Sequence, residues 1–155
     1  MPRGYPCREM AMVGETRGPD INGSDDQIMP VRDPGDVVTA IILIGNLAVK
    51  LGLNPVAKAS IMTAASELAG NILKYAERGV LKIRTLEGRR GKGIEVIAED
   101  HGPGIADLQM AMRDHFSQSG TLGLGLPGAK RLMDEFHLWS EVGKGTRVTI
   151  RKWRT

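Results

Sequence analysis

Asp100-His101-Gly102-Pro103-Gly104-Ile105, followed after a short interval by Ser119-Gly120-Thr121-Leu122-Gly123-Leu124-Gly125-Leu126-Pro127-Gly128, is the stretch whose reading decides the fold. Glycine loses more backbone entropy on folding than any other residue, so two clusters this close need a reason. Turn geometry is one. The other is close approach of peptide N–H groups to an anion, usually phosphate. No Gly-Lys-Ser/Thr follows, which excludes a P-loop. No strand–helix–strand unit begins there, which excludes the dinucleotide-binding fingerprint.

Outward from this stretch, the first cluster follows an apolar strand, Ile94 to Asp100, and the second enters a helix, Leu126 to Phe136, with Pro127 in its first turn. Between them a short helix runs from Asp107 to about Asp114. Upstream, Asp33-Pro34 and Asn54-Pro55 each pair an N-capping side chain with proline at the first helical position. The first helix carries Val37, Val38, Ile41, Ile44, Leu47, Ala48 and Leu51 at helical spacing and stops at Gly52. The second runs to about Arg78, with Val56, Ala59, Met62, Ala65, Ala69 and Ile72 as its apolar face. From Val80 the period changes to two, and Glu87 to Gly93 reads as a polar hairpin loop. Downstream, Leu138 to Val142, a Gly143-Lys144-Gly145 turn and Thr146 to Trp153 form a closing hairpin. Gln27 to Arg32 is a short strand that Pro30 confines to a sheet edge. This order predicts an α+β two-layer sandwich, a mixed β-sheet with helices on one face.

The chain has 155 residues, a formal net charge of +3 and a single cysteine, Cys7. That length fits one domain with a genuine core. One cysteine makes no disulfide and no metal site, which fits a reducing cytoplasm. No apolar run reaches membrane-spanning length and no signal peptide is visible, so a cytoplasmic protein is expected. The excess cations, Arg89, Arg90, Lys92, Arg147, Arg151, Lys152 and Arg154, mark solvated loops and a strand edge, or a surface for an acidic partner. They do not interleave with aromatics as in a nucleic-acid binder. Residues 1–27 are rich in Gly, Pro, Arg, Asp and Ser without an apolar period. They are expected to be disordered or loosely attached, with Met10, Met12 and Met29 as alternative starts.

Glu67, Asn71 and Lys74 stand at i, i+4 and i+7 of the second helix and share a face. They form either an exposed polar face or a phosphoryl-transfer group, with an amide to hold magnesium and a carboxylate to accept a proton. Asp100 is either a turn former or an acceptor for the exocyclic amine of a base. His101, His115 and His137 lack metal-ligand spacing. Trp139 and Trp153 read as packing residues of the closing hairpin.

Taken together, Glu-x-x-x-Asn on a helix, Asp-x-Gly-x-Gly after a strand, Gly-x-Gly-Leu before a helix and Gly-x-Gly-Thr in the last hairpin resemble the GHKL ATPase/kinase superfamily, with its Bergerat ATP-binding fold. The resemblance covers roughly residues 30–153 and implies a kinase domain over 28–155 that uses ATP and Mg2+. It implies Glu67 as general base and Asn71 as magnesium ligand. Asp100 would bind the adenine amino group, with Gly102, Gly104 and Ile105 shaping the base pocket and Thr146 beside Asp100. Ser119, Gly120, Thr121, Leu122, Gly123, Leu124, Gly125 and Leu126 would form the lid and phosphate loop, and Lys74 would either face phosphate, as in histidine kinases, or face solvent.

Ala-x-Ser-Glu-Leu-Ala-x-Asn and Gly-Leu-Pro-Gly-Ala-Lys-Arg-Leu-Met-Asp-Glu-Phe look like the RsbT-type serine/threonine switch kinases of the stressosome, relatives of anti-sigma-factor kinases. That branch implies phosphorylation of a STAS-domain antagonist and, on release, binding and activation of a PPM-type phosphatase. Two other readings share the fold: an anti-sigma factor sequestering a sigma subunit, and a detached histidine-kinase catalytic domain. None implies a nucleic-acid or membrane partner.

Overall fold

The computed structural model describes residues 8–12, 22–113 and 125–154. In chain order the elements are β1 (Arg8–Met12), β2 (Asn22–Val31), α1 (Pro34–Leu51), α2 (Pro55–Asn71), a π-helical turn (Ile72–Ala76), β3 (Gly79–Gly88), β4 (Gly91–Asp100), α3 (Leu108–Ala111), α4 (Gly125–Leu132), β5 (Glu135–Glu141) and β6 (Gly145–Trp153). The strands form one sheet of order β1-β5-β6-β4-β3-β2.

Local chemistry sets the helix starts. The Asp33 carboxylate accepts from Asp36 N at 2.8 Å, and the Asn54 amide oxygen accepts from Ala57 N at 2.8 Å. Proline follows each cap. Gly52 ends α1 in the left-handed conformation at φ 78°, which any side chain would resist. At 18 residues and mean hydropathy 1.5, α1 does reach the lower length for a membrane span, contrary to the sequence expectation. Its stripe of Ala40, Ile44, Gly45 and Ala48 is nevertheless buried in the core.

That core lies between the helices and one sheet face. Leu81 and Ile83 of β3, Val96 and Ala98 of β4, Phe136 and Leu138 of β5, and Val148 and Ile150 of β6 meet Ala40 and Ile44 of α1 and Ile61, Ala65 and Leu68 of α2. Alternation along each strand sends these residues to one side. The other side carries a charge ladder. Glu95 accepts from Arg84 Nε and Arg151 Nε, both at 2.6 Å. Arg151 also reaches Glu135 at 3.7 Å, and Trp153 Nε1 donates to Glu135 at 2.8 Å. The hydrogen bond to Glu95 raises the Arg84 pKa above its ordinary value. Arg147 lies over the Trp139 ring at 5.4 Å, and Lys152 donates to Leu132 O at 3.0 Å. Several of the cations read as a solvated edge are thus engaged within the fold.

The two-layer α+β arrangement is the expected one, with four differences in detail. Every pairing is antiparallel rather than mixed. β4 and β5 point the same way, but β6 lies between them and opposes both. The α-helical winding of α2 ends at Asn71, not near Arg78, because Ile72–Ala76 takes π form and Gly79 already begins β3. The buried residues of α2 are Ala57, Ile61, Ala64, Ala65, Glu67, Leu68 and Ala69, so Ala65 and Ala69 are in the core as expected, whereas Val56 is 76% exposed. Asp134 to Phe136 does not continue α4; β5 starts at Glu135. Toward the N-terminus, β1 pairs β5, and β2 pairs β3 from Asn22 at the opposite edge. Strand therefore reaches into the stretch 1–27, and Pro30 sits on an edge strand as expected.

Candidate functional site

β4 and β6 run side by side, and β4 ends where β6 begins, with Asp100 directly opposite Thr146. Above them lie the end of α2 and the π turn. Between these layers opens a cleft of about 280 Å³. Leu68, Ile72, Ala98, Ile105, Leu126 and Val148 give it apolar walls. Asp100, Thr146 and Asn71 supply polar groups, and Tyr75 stands at its margin, 52% exposed. Apolar walls with a few fixed polar groups suit a flat heteroaromatic ligand.

The glycines hold the floor in place. Asp100 Oδ1 accepts from Gly102 N at 2.9 Å, which leaves Oδ2 for the cleft. A Cβ on Gly102 would stand 2.6 Å from Ala76 Cβ. Gly104 has φ 76°, and a side chain there would strike the Glu141 carbonyl. Gly143 N donates to Pro103 O at 2.9 Å and so ties the turn after β4 to the closing hairpin. Ser140 on β5, which sequence reasoning missed, is 4% exposed and joins the same parts: its hydroxyl contacts Ile105 N at 2.7 Å, Gly145 O at 2.9 Å and Thr146 Oγ1 at 2.9 Å. The signal available for it was only its position beside the Gly143-Lys144-Gly145 turn.

The expected site residues fall into three groups. Asn71, Asp100, Gly104, Ile105, Gly125, Leu126 and Thr146 line the cleft, and Gly102 supports it from behind Asp100. Glu67 stands one helical turn before Asn71 and is buried at 9% exposure, not on an open polar face. No hydrogen-bond partner engages its carboxylate among the described residues. Lys74 is exposed, the solvent-facing alternative, and outside the cleft lining, with Nζ 5.2 Å from the Tyr75 ring centroid. Ser119, Gly120, Thr121, Leu122, Gly123 and Leu124, with His115, lie outside the described residues, as does Cys7. His101 is exposed and His137 is half-buried on β5. Among the described residues no group of three or more His, Cys, Asp or Glu side chains is placed to hold a metal.

A helix bearing a carboxylate and an amide one turn apart, above a strand end bearing Asp100 and Thr146, defines a class. Residues 57–155 match the histidine kinase-, DNA gyrase B-, and HSP90-like ATPases, and the chain belongs to that family. It is therefore an enzyme of a nucleotide-using fold, and the GHKL resemblance is borne out. The likeness narrows to the RsbT-type kinases: the chain is 48% identical over 130 residues to the serine/threonine-protein kinase RsbT of Bacillus subtilis, covering 84% of this chain and 98% of RsbT. It is 31% identical over 98 residues to the anti-sigma F factor of Clostridium kluyveri, covering 59% of this chain and 68% of that protein. In three dimensions it matches the RsbU and RsbW domains of a Mycobacterium tuberculosis protein with a TM-score of 0.58 at 15% identity, over 84% of this chain and 32% of that one. The last likeness concerns the fold alone.

Proposed function

We propose that this chain is an ATP-dependent protein serine/threonine kinase of a partner-switching stress-signalling module. It phosphorylates a STAS-domain antagonist on serine or threonine and, once released, binds and activates a PPM-type phosphatase. It works in the cytoplasm, in a globular domain over 28–155. The observation that carries this reading is the juxtaposition of Asn71 with the Asp100–Thr146 pair around one cleft, with Glu67 one turn away. The similarity to the serine/threonine-protein kinase RsbT over nearly its whole length supports a protein serine or threonine as the substrate.

In this reading Asp100 Oδ2 accepts from the adenine amino group, and the apolar walls cover the ring faces. The phosphates run toward Gly125 and the start of α4, where free peptide N–H groups favour negative charge. The Asn71 amide oxygen is a hard donor within the cleft and fits a magnesium ion, which characteristically takes few protein ligands plus substrate phosphates. When bound, that ion neutralises phosphate charge. Glu67 accepts the proton of the attacking hydroxyl, a role that suits a carboxylate held in a dry setting.

The test is to mix the protein with labelled ATP, magnesium and the STAS-domain proteins of the same genome. Transfer of one label to one serine or threonine, stable in acid, supports the kinase reading. Phosphohistidine would be lost in acid. The similarity to anti-sigma F factors favours a second reading, in which the protein sequesters a sigma subunit. Co-purification of a sigma subunit from lysate, without a phosphatase, distinguishes it.

A further inference from the structure

We infer that Ser140 is a positioning residue that sets the hydrogen-bond polarity of the cleft floor, and thereby selects a purine with an amino group over one with a carbonyl at that edge. The inference rests on the nucleotide-binding reading above. Ser140 has one hydroxyl proton and two lone pairs. Gly145 O is a pure acceptor, 2.9 Å away, so the proton goes there. Ile105 N is a pure donor, 2.7 Å away, and takes one lone pair. The remaining lone pair faces Thr146 Oγ1 at 2.9 Å, and Thr146 can satisfy it only by donating.

With its proton committed to Ser140, Thr146 offers the cleft lone pairs alone. Asp100, its direct partner across β4 and β6, is an acceptor when ionised, with Oδ1 already occupied by Gly102 N. Both polar groups of the floor therefore accept. The adenine amino group carries two N–H donors, one for each acceptor, whereas hypoxanthine sets a carbonyl against them and brings only a single N1–H. Buried polar groups left unpaired in this way are what give hydrogen-bonding sites their discrimination. Ser140 acts at one remove: it touches no ligand but fixes which way Thr146 points its proton.

Calorimetric titration with ATP and with ITP, which carries a carbonyl where ATP carries the amine, tests this. Ser140→Ala frees the Thr146 hydroxyl to rotate and donate. The ratio of ATP to ITP affinity is then expected to fall about tenfold, one hydrogen bond's worth. Ser140→Thr, which restores a hydroxyl, is expected to restore the ratio. If Ser140→Ala weakens both nucleotides equally and leaves the ratio unchanged, Ser140 is only structural and the inference is overturned. If the Ala variant does not fold, Ser140→Cys carries the same test, with a thiol too weak to hold the Thr146 proton. Wild-type protein binding neither nucleotide would instead overturn the reading of the cleft itself.

Discussion

Gly145 packs against the carbonyl of Asp100, so closely that a Cβ at 145 would clash with that oxygen. Its φ of 118° is also one that L side chains rarely adopt. The residue that opens β6 thus fixes the strand end that carries the cleft's carboxylate. Gly145→Ala is expected to cost about 1–3 kcal/mol of stability from backbone strain. It should also push Asp100 out of line with Thr146 and weaken ATP binding more than the stability loss explains. Denaturant melts and calorimetry on one preparation measure both.

In the proposed kinase reading, Asn71 serves the cation more than the base. Asn71→Ala should weaken ATP binding in the presence of magnesium and leave binding in EDTA nearly unchanged. Equal losses in both conditions would place Asn71 in base recognition.

Across the other sheet face, Glu95 is 1% exposed and bridges Arg84 and Arg151. Glu95→Gln removes the charge that both guanidiniums share. Breaking a fully buried pair from one side costs about 3–5 kcal/mol, but Arg84 is 33% exposed and Arg151 keeps Glu135, so a smaller loss of about 1–3 kcal/mol is expected here. Urea unfolding should report a loss of that order, with ATP affinity unchanged because the ladder lies on the face opposite the cleft.

Asp36 in the first turn of α1 accepts from Arg32 Nε at 3.0 Å. That hydrogen bond holds the Asp36 carboxyl below the ordinary carboxylate range. The folded state therefore binds the proton less tightly than the unfolded chain, so the contribution is present above the ordinary carboxylate pKa and is lost as pH falls through the folded value. Asp36→Asn should lower the melting temperature slightly at neutral pH. The gap should close as the pH drops below about 4, and should shrink in high salt because the pair is exposed.

Local chemistry explains which parts of this fold were legible in the sequence. The caps at Asp33 and Asn54, the stop at Gly52 and the Gly143–Gly145 turn depend on neighbours a few residues away, and each stands where its motif placed it. The strand at Arg8–Met12 was not legible, because its pairing with β5 comes from the far end of the chain. Nor was the start of β5, where Asp134-Glu135-Phe136 has no helix-breaking residue but Trp153 N binds Asp134 and Trp153 Nε1 binds Glu135. Charged residues inside strands read as solvated, so the burial of Glu95 and Glu135 was hidden until their arginine and tryptophan partners were placed. In the cleft, the residues of the motifs were legible by type and spacing. Ser140 was not, since a lone serine on a strand has no pattern. Lys74 could not be decided from spacing, and it is exposed, outside the cleft lining.

The central claim is that Glu67 serves phosphoryl transfer while Asp100 and Thr146 hold the nucleotide. The most direct measurement compares wild type and Glu67→Gln for ATP affinity and for transfer of labelled phosphate to the cognate STAS-domain protein. ATP affinity is expected near wild type, with transfer reduced by about 10²–10⁴-fold, the usual contribution of a general base. Undiminished transfer by Glu67→Gln would contradict it.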